Sequence, residues 1–439
     1  MRRIALVSSG LAVAAAVTGL NAASAAAQPA SRPAQPAPRP AQALVRAATD
    51  GGNRVASPSR DVTTSGGRGR KYVTQGPRFN LPSKDPAKAG ALDLYIKTLI
   101  RHTPAKAEID VAVFRLRTSG MAKELVNAQK RKVRVRVVLD NDSLSQNKGV
   151  YNYLARHLGT NTKKSSWVVV CPKNRGCIAP STKGVWGKNH NKFYAFSRTY
   201  DSRNVVVQTS GNATGGMYAD YNDAYTLVDR KLYGAYRSYF YALAKHRPNG
   251  NYYRQTWSGK RAVAFFPKAS GDPIVDVLNR VRCDGTKVRL SSGIFNRTEV
   301  AKALSRLDDQ GCDVQVVAAT FGTGTLKALA RPGRHGGPAV HYFTGDSAAQ
   351  AHSKYLLIDG TYNGRRHRMI LTGSHSYTVD ALRYNDEAVL TLMDSSAFPL
   401  YVSNFGKVYA AARGKLVVMP GAKTPEIPVG PVGAADYDD

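Results

Sequence analysis

The sequence predicts an α/β protein built from two tandem copies of one α/β sandwich unit, docked with pseudo-twofold symmetry. Three observations predict it. Strand-like and helix-like stretches alternate along the chain. The order of elements in the first half recurs in the second at a constant spacing. Each half also carries the same short motif, His190-Asn191-Lys192 and His352-Ser353-Lys354, at the head of an apolar run. Alternation of the two element types implies layered α/β units, and recurrence at fixed spacing implies duplication.

Size and charge set the frame for these copies. A chain of 439 residues, 43% of them hydrophobic, is long enough for one large domain or two ordinary ones with real cores. Lys and Arg total 63 against 30 Asp and Glu, a formal charge of +33, which points to a polyanionic partner or an anionic surface. Part of that charge is concentrated in Lys130, Arg131, Lys132, Arg134 and Arg136.

The first 27 residues read as a secretory signal peptide: Arg2 and Arg3, an apolar stretch over 4–20, then small residues around Ala25 and Ala27. Without a wider twin-arginine motif, ordinary export is expected. No later stretch approaches the ~20 uninterrupted apolar residues of a membrane span. Residues 28–80, rich in Ala, Pro, Gly and Arg, read as a linker, and 416–439 as a C-terminal tail. Export makes the four cysteines legible as disulfides. Cys171 and Cys177 close a short loop, which leaves Cys283 to pair with Cys312. Their spacing is not that of a zinc site, and no histidine is close to either pair in the sequence.

Between these ends lie two repeats, 81–255 and 256–415. The first opens with a helix (91–102), a strand (108–114), a helix (120–129) and a strand (132–139), and the second with the same series at 273–281, 287–294, 299–309 and 313–319. Ile109 and Val288 are 179 residues apart, and so are Val137 and Val316, whereas the two motif histidines are 162 apart. The first copy therefore holds 17 extra residues before its motif, assigned to the Cys171–Cys177 loop at the rim of a site. After each motif come a strand (204–208, 368–371), a turn, a second strand (223–228, 387–392) and a helix.

Residues two apart on a strand share a face, so His190 points with Lys192 and His352 with Lys354. Each half adds a small polar turn, Thr209-Ser210-Gly211-Asn212 or Gly373-Ser374-His375-Ser376, and an Asn-Asp pair, Asn222-Asp223 or Asn385-Asp386. One His-x-Lys on a strand is ordinary. Two in matching surroundings suit a phosphate held between two imidazoles, one attacking and one protonating the leaving oxygen. The lysines would neutralise the non-bridging oxygens, with Ser210, Asn212, Ser374, Asn222 and Asn385 as polar contacts. No cofactor or metal is then needed.

On these residues the chain resembles the phospholipase D superfamily, whose signature is His-x-Lys-x4-Asp followed by a Gly-Ser-x-Asn-like turn. The second copy supplies His352, Lys354, Asp359, Gly373 and Ser374, with Ser376 in place of Asn; the first has Ser197 in place of Asp and Thr209 in place of Gly. The resemblance covers roughly residues 85–413. It implies phosphodiester cleavage through a phosphohistidine, with His190 as nucleophile, His352 as general acid and base, and Asp359 orienting an imidazole.

The leading expectation is a secreted, monomeric phospholipase D-like enzyme that hydrolyses or transfers phospholipid head groups at a membrane surface. An extracellular nuclease is the alternative, since a basic groove serves a nucleic-acid backbone equally well. A phosphate- or membrane-binding pseudoenzyme ranks third, motivated by Ser197 and Ser376.

Overall fold

The computed structural model describes residues 62–416, apart from 183, 332, 333, 345, 346 and 348. The expected signal peptide, the linker before residue 62 and the tail beyond 416 lie outside the described residues. The described residues begin with a hairpin, β1 (Thr63–Ser65) and β2 (Lys71–Val73), and a short strand, β3 (Gly76–Phe79). The first half continues with α1 (Pro86–Ala89), α2 (Ala91–Arg101), β4 (Glu108–Val113), α3 (Ser119–Lys130), β5 (Arg134–Leu139), α4 (Ser143–Leu158) and β6 (Trp167–Val170). It closes with β7 (Lys188–Asn189), β8 (Lys192–Thr199), β9 (Ser202–Thr209), α5 (Gly216–Ala219), β10 (Asp223–Val228) and α6 (Arg230–Ala244).

The second half runs β11 (Arg254–Ser258), β12 (Arg261–Phe266), α7 (Pro273–Asn279), β13 (Val281–Phe295), α8 (Thr298–Asp309), β14 (Asp313–Phe321), α9 (Thr323–Leu329) and β15 (Ala339–Tyr342). After these come β16 (Tyr355–Tyr362), β17 (Arg365–Gly373), α10 (Val379–Arg383), β18 (Asn385–Met393), α11 (Phe398–Ala411) and β19 (Gly414–Lys415). Every helix and strand expected around the two motifs forms, with ends shifted by a few residues, as fraying and capping dictate.

One sheet has the order β3-β10-β9-β8-β4-β5-β6, and the other β11-β12-β18-β17-β16-β13-β14-β15-β19. The central parallel pairs, β4 with β5 and β13 with β14, are joined by α3 and α8, whose apolar residues recur every three to four positions (Met121, Leu125 and Ala128; Val300, Leu304 and Leu307). Three cores follow. One packs α2, α3 and α4 on the outer face of the first sheet, through Leu92, Leu125 and Leu154, and another packs α7, α8 and α9 on the second, through Leu278, Leu304 and Leu329. The third lies between the sheets, where Tyr236 and Phe240 of α6 meet Tyr401 and Phe405 of α11 within one apolar cluster.

Both expected disulfides form, Cys171 with Cys177 and Cys283 with Cys312. The second staples β13 to the residue before β14. One histidine does lie against the first: His246 approaches the two sulfurs to within 4.8 Å. Since those sulfurs are bonded to each other, they are not thiolate ligands.

Two expectations are corrected. Residues 63–79, read as linker because of their Gly and Arg content, form strands, and β3 pairs antiparallel with β10. A short edge strand can carry Gly and Pro because few ladder bonds are asked of it. The 17 surplus residues of the first copy are also divided. The offset between equivalent residues falls from 179 (Val137 and Val316) to 172 (Val168 and Val340) and then to 162 at the histidines. Seven of them therefore belong to the longer α4 crossover, and ten to the disulfide loop.

A chain starting at residue 81 should fold with a melting temperature lowered by roughly 3 °C or more, through loss of β3 and of Asn80. Circular dichroism melting would show it, and an unchanged midpoint would return the segment to linker status.

Candidate functional site

Each of the two motifs is fastened to the other half of the molecule. β7, just before His190, pairs in parallel with β18, and the His190 backbone N–H donates to Asp386 O at 3.0 Å. Ala351, just before His352, bridges Tyr221, and the His352 N–H donates to Tyr221 O at 3.0 Å. Both histidines and both lysines are buried. Lys192 Nζ donates to His190 O at 3.1 Å and Lys354 Nζ to His352 O at 2.7 Å, so each lysine turns back onto the backbone of its own histidine.

The rings are held in the same crossed manner. His190 Nδ1 is 2.7 Å from Glu387 Oε1, near the start of β18, and His352 Nδ1 is 2.6 Å from Asn222 Oδ1, just before β10. Ser374 Oγ donates to Glu387 Oε2 at 2.5 Å, and Ser210 Oγ donates to Asn222 Oδ1 at 3.0 Å. Each serine also accepts from the next backbone N–H, of Ala388 at 3.1 Å and of Asp223 at 3.0 Å. Asn222 and Glu387 are thus equivalent positions filled by unlike residues. Asn222 Nδ2 faces the carbonyls of Met217 and Asp220, both at 3.4 Å, which leaves its oxygen for the imidazole. With Nδ1–H donated in both rings, Nε2 is the nitrogen turned to substrate chemistry.

Behind each holder stands a second anchor. Asn80, fully buried at the end of β3, accepts from Asn222 N at 2.8 Å and donates to Asp220 O at 2.8 Å. Asp386, beside Glu387, accepts from three consecutive amides of the disulfide loop: Cys177 N at 2.6 Å, Ile178 N at 3.1 Å and Ala179 N at 2.6 Å. A Cβ on Gly176 would lie 2.7 Å from Asp386 Oδ2, so only glycine lets the loop close on this carboxylate. Asp140 Oδ2 accepts from Asn189 N at 2.7 Å and fixes β7 from the other side. Burial pushes the Asp386 carboxyl up to about 7 and that of Asp140 up to about 6, against the opposing pull of the amide donors. Asp223 joins the halves, accepting from Thr372 Oγ1 at 2.6 Å and Tyr401 OH at 3.0 Å.

The family model described as cardiolipin synthase, PLD-like domain, matches residues 97–244 and 274–409. The chain belongs to the phospholipase D superfamily. Among solved structures it is similar to phosphatidylserine synthase of Haemophilus influenzae Rd KW20, at 14% identity and TM-score 0.52, over 78% of this chain and 87% of that one. It is also similar to polyphosphate kinase of Porphyromonas gingivalis, at 11% identity and TM-score 0.53, over 76% of this chain and 50% of that one. The chain thus spans about half the length of the kinase, and at these identities the likeness is one of fold. No curated protein matches the sequence.

Within this phospholipase D fold, several residues expected at the phosphate have other places. Asp359 lies on β16, seven residues and roughly 23 Å of strand beyond His352. There it pairs with Arg366 at 3.2 Å and Arg368 at 3.5 Å. It does not orient an imidazole, because Glu387 and Asn222 occupy both Nδ1 atoms. Its counterpart Ser197 accepts from Glu108 N at 2.8 Å, so the departure from Asp costs the first imidazole nothing. Asn385 accepts from Lys188 N at 3.1 Å and holds β7. Asn222, Ser210 and Ser374 support the rings from behind. Asn212 and Ser376 are buried at equivalent positions of the two turns.

Sequence reasoning missed Glu387, Asn80 and Asp386 in these roles. The signal for Glu387 was the distance from the turn serine, 12 residues to Asn222 and 13 to Glu387, which the matching of the Asn-Asp pairs obscured. Asn80→Ala should lower stability by about 1–3 kcal/mol, because buried donors and acceptors lose their partner. It should also slow turnover by loosening Asn222; urea unfolding and steady-state rates check the two effects. Asp386→Ala should expose the amides of Ile178 and Ala179 to hydrogen exchange at a rate close to that of an open loop.

Proposed function

We propose that the chain is an exported phosphodiesterase that hydrolyses phospholipid head groups, or transfers them to an alcohol, through a phosphohistidine and without a metal. One observation carries the reading: two equivalent imidazoles are held by unlike partners. Glu387 sets a carboxylate on His190 Nδ1, which offsets the positive ring that forms when Nε2 bonds to phosphorus. Asn222 sets a neutral amide on His352 Nδ1, so this holder adds no negative charge to an imidazolium and favours release of its Nε2 proton. His190 is accordingly the nucleophile and His352 the acid and base.

In the first step the His190 Nε2 lone pair attacks phosphorus. The bond to the leaving oxygen breaks, and that oxygen takes the Nε2 proton of His352. In the second, water or an alcohol gives its proton to His352 Nε2 as its oxygen attacks phosphorus and the N–P bond breaks. Lys192 and Lys354 supply countercharge for the non-bridging oxygens. The family description as cardiolipin synthase and the +33 charge both favour an anionic lipid surface.

The test incubates the mature protein with phosphatidylcholine, phosphatidylglycerol or plasmid DNA in EDTA. Head-group release should persist in the chelator and fall at least about a thousandfold in both His190→Ala and His352→Ala. Nicking of DNA without lipid turnover would replace the lipid reading with the nuclease, and binding to vesicles without cleavage of any substrate would replace it with the pseudoenzyme.

A further inference from the structure

The rim of the site on the His190 side carries side chains that the chemistry does not use. Just before β7, Thr182 and Val185 exchange backbone hydrogen bonds of 3.1 and 3.0 Å and close a tight hairpin. Its base is clamped at Gly187, where a Cβ would collide with Tyr384 O and lie 2.9 Å from Pro180 O. Trp186, between hairpin and clamp, is 66% exposed, more than any other large apolar side chain among the described residues. It lies four residues before His190, and Tyr384 lies three before Glu387.

Tyr384 caps α10, and at the other end of that short helix Val379 is 44% exposed. Cations accompany these two apolar side chains. Lys188 follows the clamp directly, and Asp380, next to Val379, has its carboxyl pushed up by burial and drawn back by the charge of Lys188. Lys268 joins α10 through its backbone, donating to Leu382 O at 2.9 Å and accepting from Arg383 Nη1 at 2.8 Å, and its ammonium stands 4.7 Å from the centre of the Tyr253 ring. A single exposed apolar residue is ordinary on a protein surface. A tryptophan held out by a clamped hairpin, joined through one helix to a second apolar residue and to a lysine on a tyrosine ring, suits the boundary between hydrocarbon and charged head groups.

We infer that this rim docks on an anionic lipid surface, with Trp186 and Val379 entering the head-group layer and Lys188 and Lys268 at the level of the lipid phosphates. The inference rests on the lipid reading proposed above and adds where the bilayer sits. Aromatic and aliphatic side chains supply the apolar contact, and the lysines make it selective for negative charge. Docking there brings lipid phosphates to the side of the molecule on which β7 and β18 lead into His190 and Glu387.

The experiment follows tryptophan emission in the mature protein carrying Trp257→Phe, which leaves only Trp186 and the buried Trp167. Vesicles of phosphatidylglycerol should shift the emission to the blue, and vesicles of phosphatidylcholine should shift it less. In the otherwise unaltered chain, Trp186→Ala should lower partition onto phosphatidylglycerol vesicles roughly tenfold or more, Lys268→Glu should lower it roughly fivefold or more, and Trp186→Phe should keep most of it. The ratio of kcat/KM on vesicles to kcat/KM on monomeric short-chain phosphatidylglycerol should fall in step in Trp186→Ala. Emission that does not move on vesicles, or an unchanged ratio in Trp186→Ala, would overturn the docking surface and leave the lipid activity standing. If the wild type cuts neither form of the lipid while the shift and the loss of partition are both seen, the enzymatic reading fails and the docking surface stands. A shift produced by single-stranded DNA and not by vesicles rejects it in favour of a nucleic-acid contact.

Discussion

Everything at the centre of the molecule depends on one exchange: each motif histidine is hydrogen-bonded, through backbone and ring alike, to the opposite half. His190 takes Asp386 O and Glu387, and His352 takes Tyr221 O and Asn222. Neither half could hold its own imidazole. The site therefore exists only when the halves are docked, and the apolar layer of α6 and α11 between the sheets serves the chemistry as well as stability. Both histidines and both lysines are buried there, in a low-dielectric setting that strengthens every fixed dipole and charge.

Duplication supplies the geometry, and departures from it make the two sides of the site unlike. Glu387 against Asn222 and Asp386 against Tyr221 put two neighbouring carboxylates behind His190 at positions where the His352 side has an amide and a phenol. Three amides of the disulfide loop converge on Asp386, one residue from the carboxylate that holds the ring. The ten-residue insertion is thus best understood as a splint for His190. Its disulfide keeps the three amides in register for a carboxylate that burial would otherwise leave poorly satisfied.

The fold was legible because its signals are periodic. Strand and helix alternation, the 179-residue offset and the two motifs give the duplicated architecture, and the spacing of four cysteines, read with the expected export signal, pointed to both bridges. Site residues were legible only where they sit in the repeated motif. His190, Lys192, His352 and Lys354 are all buried, and each motif is tied by its backbone to the opposite half. Glu387 and Asn222 do not look alike, so a search for matching letters aligned Asn222 with Asn385 and passed over the true counterpart. Asp359 was carried by a family signature, yet seven residues of extended chain remove it from the rings. Asn80 lay hidden in a segment whose composition reads as linker, since a single buried amide leaves no periodic trace. Crossed contacts between halves are long-range, and no local pattern announces them.

The central claim is that unlike holders assign unlike roles. Rapid base quenching of His352→Ala with a phosphorus-labelled diester whose nitrophenolate leaving group departs without a general acid, followed by peptide mapping, tests it most directly, because the first step can proceed while loss of the second-step base lets the covalent intermediate accumulate. The label is expected on the peptide containing His190, and Glu387→Gln should suppress it. A label on His352 in the reciprocal His190→Ala experiment, with none on His190, would contradict the account.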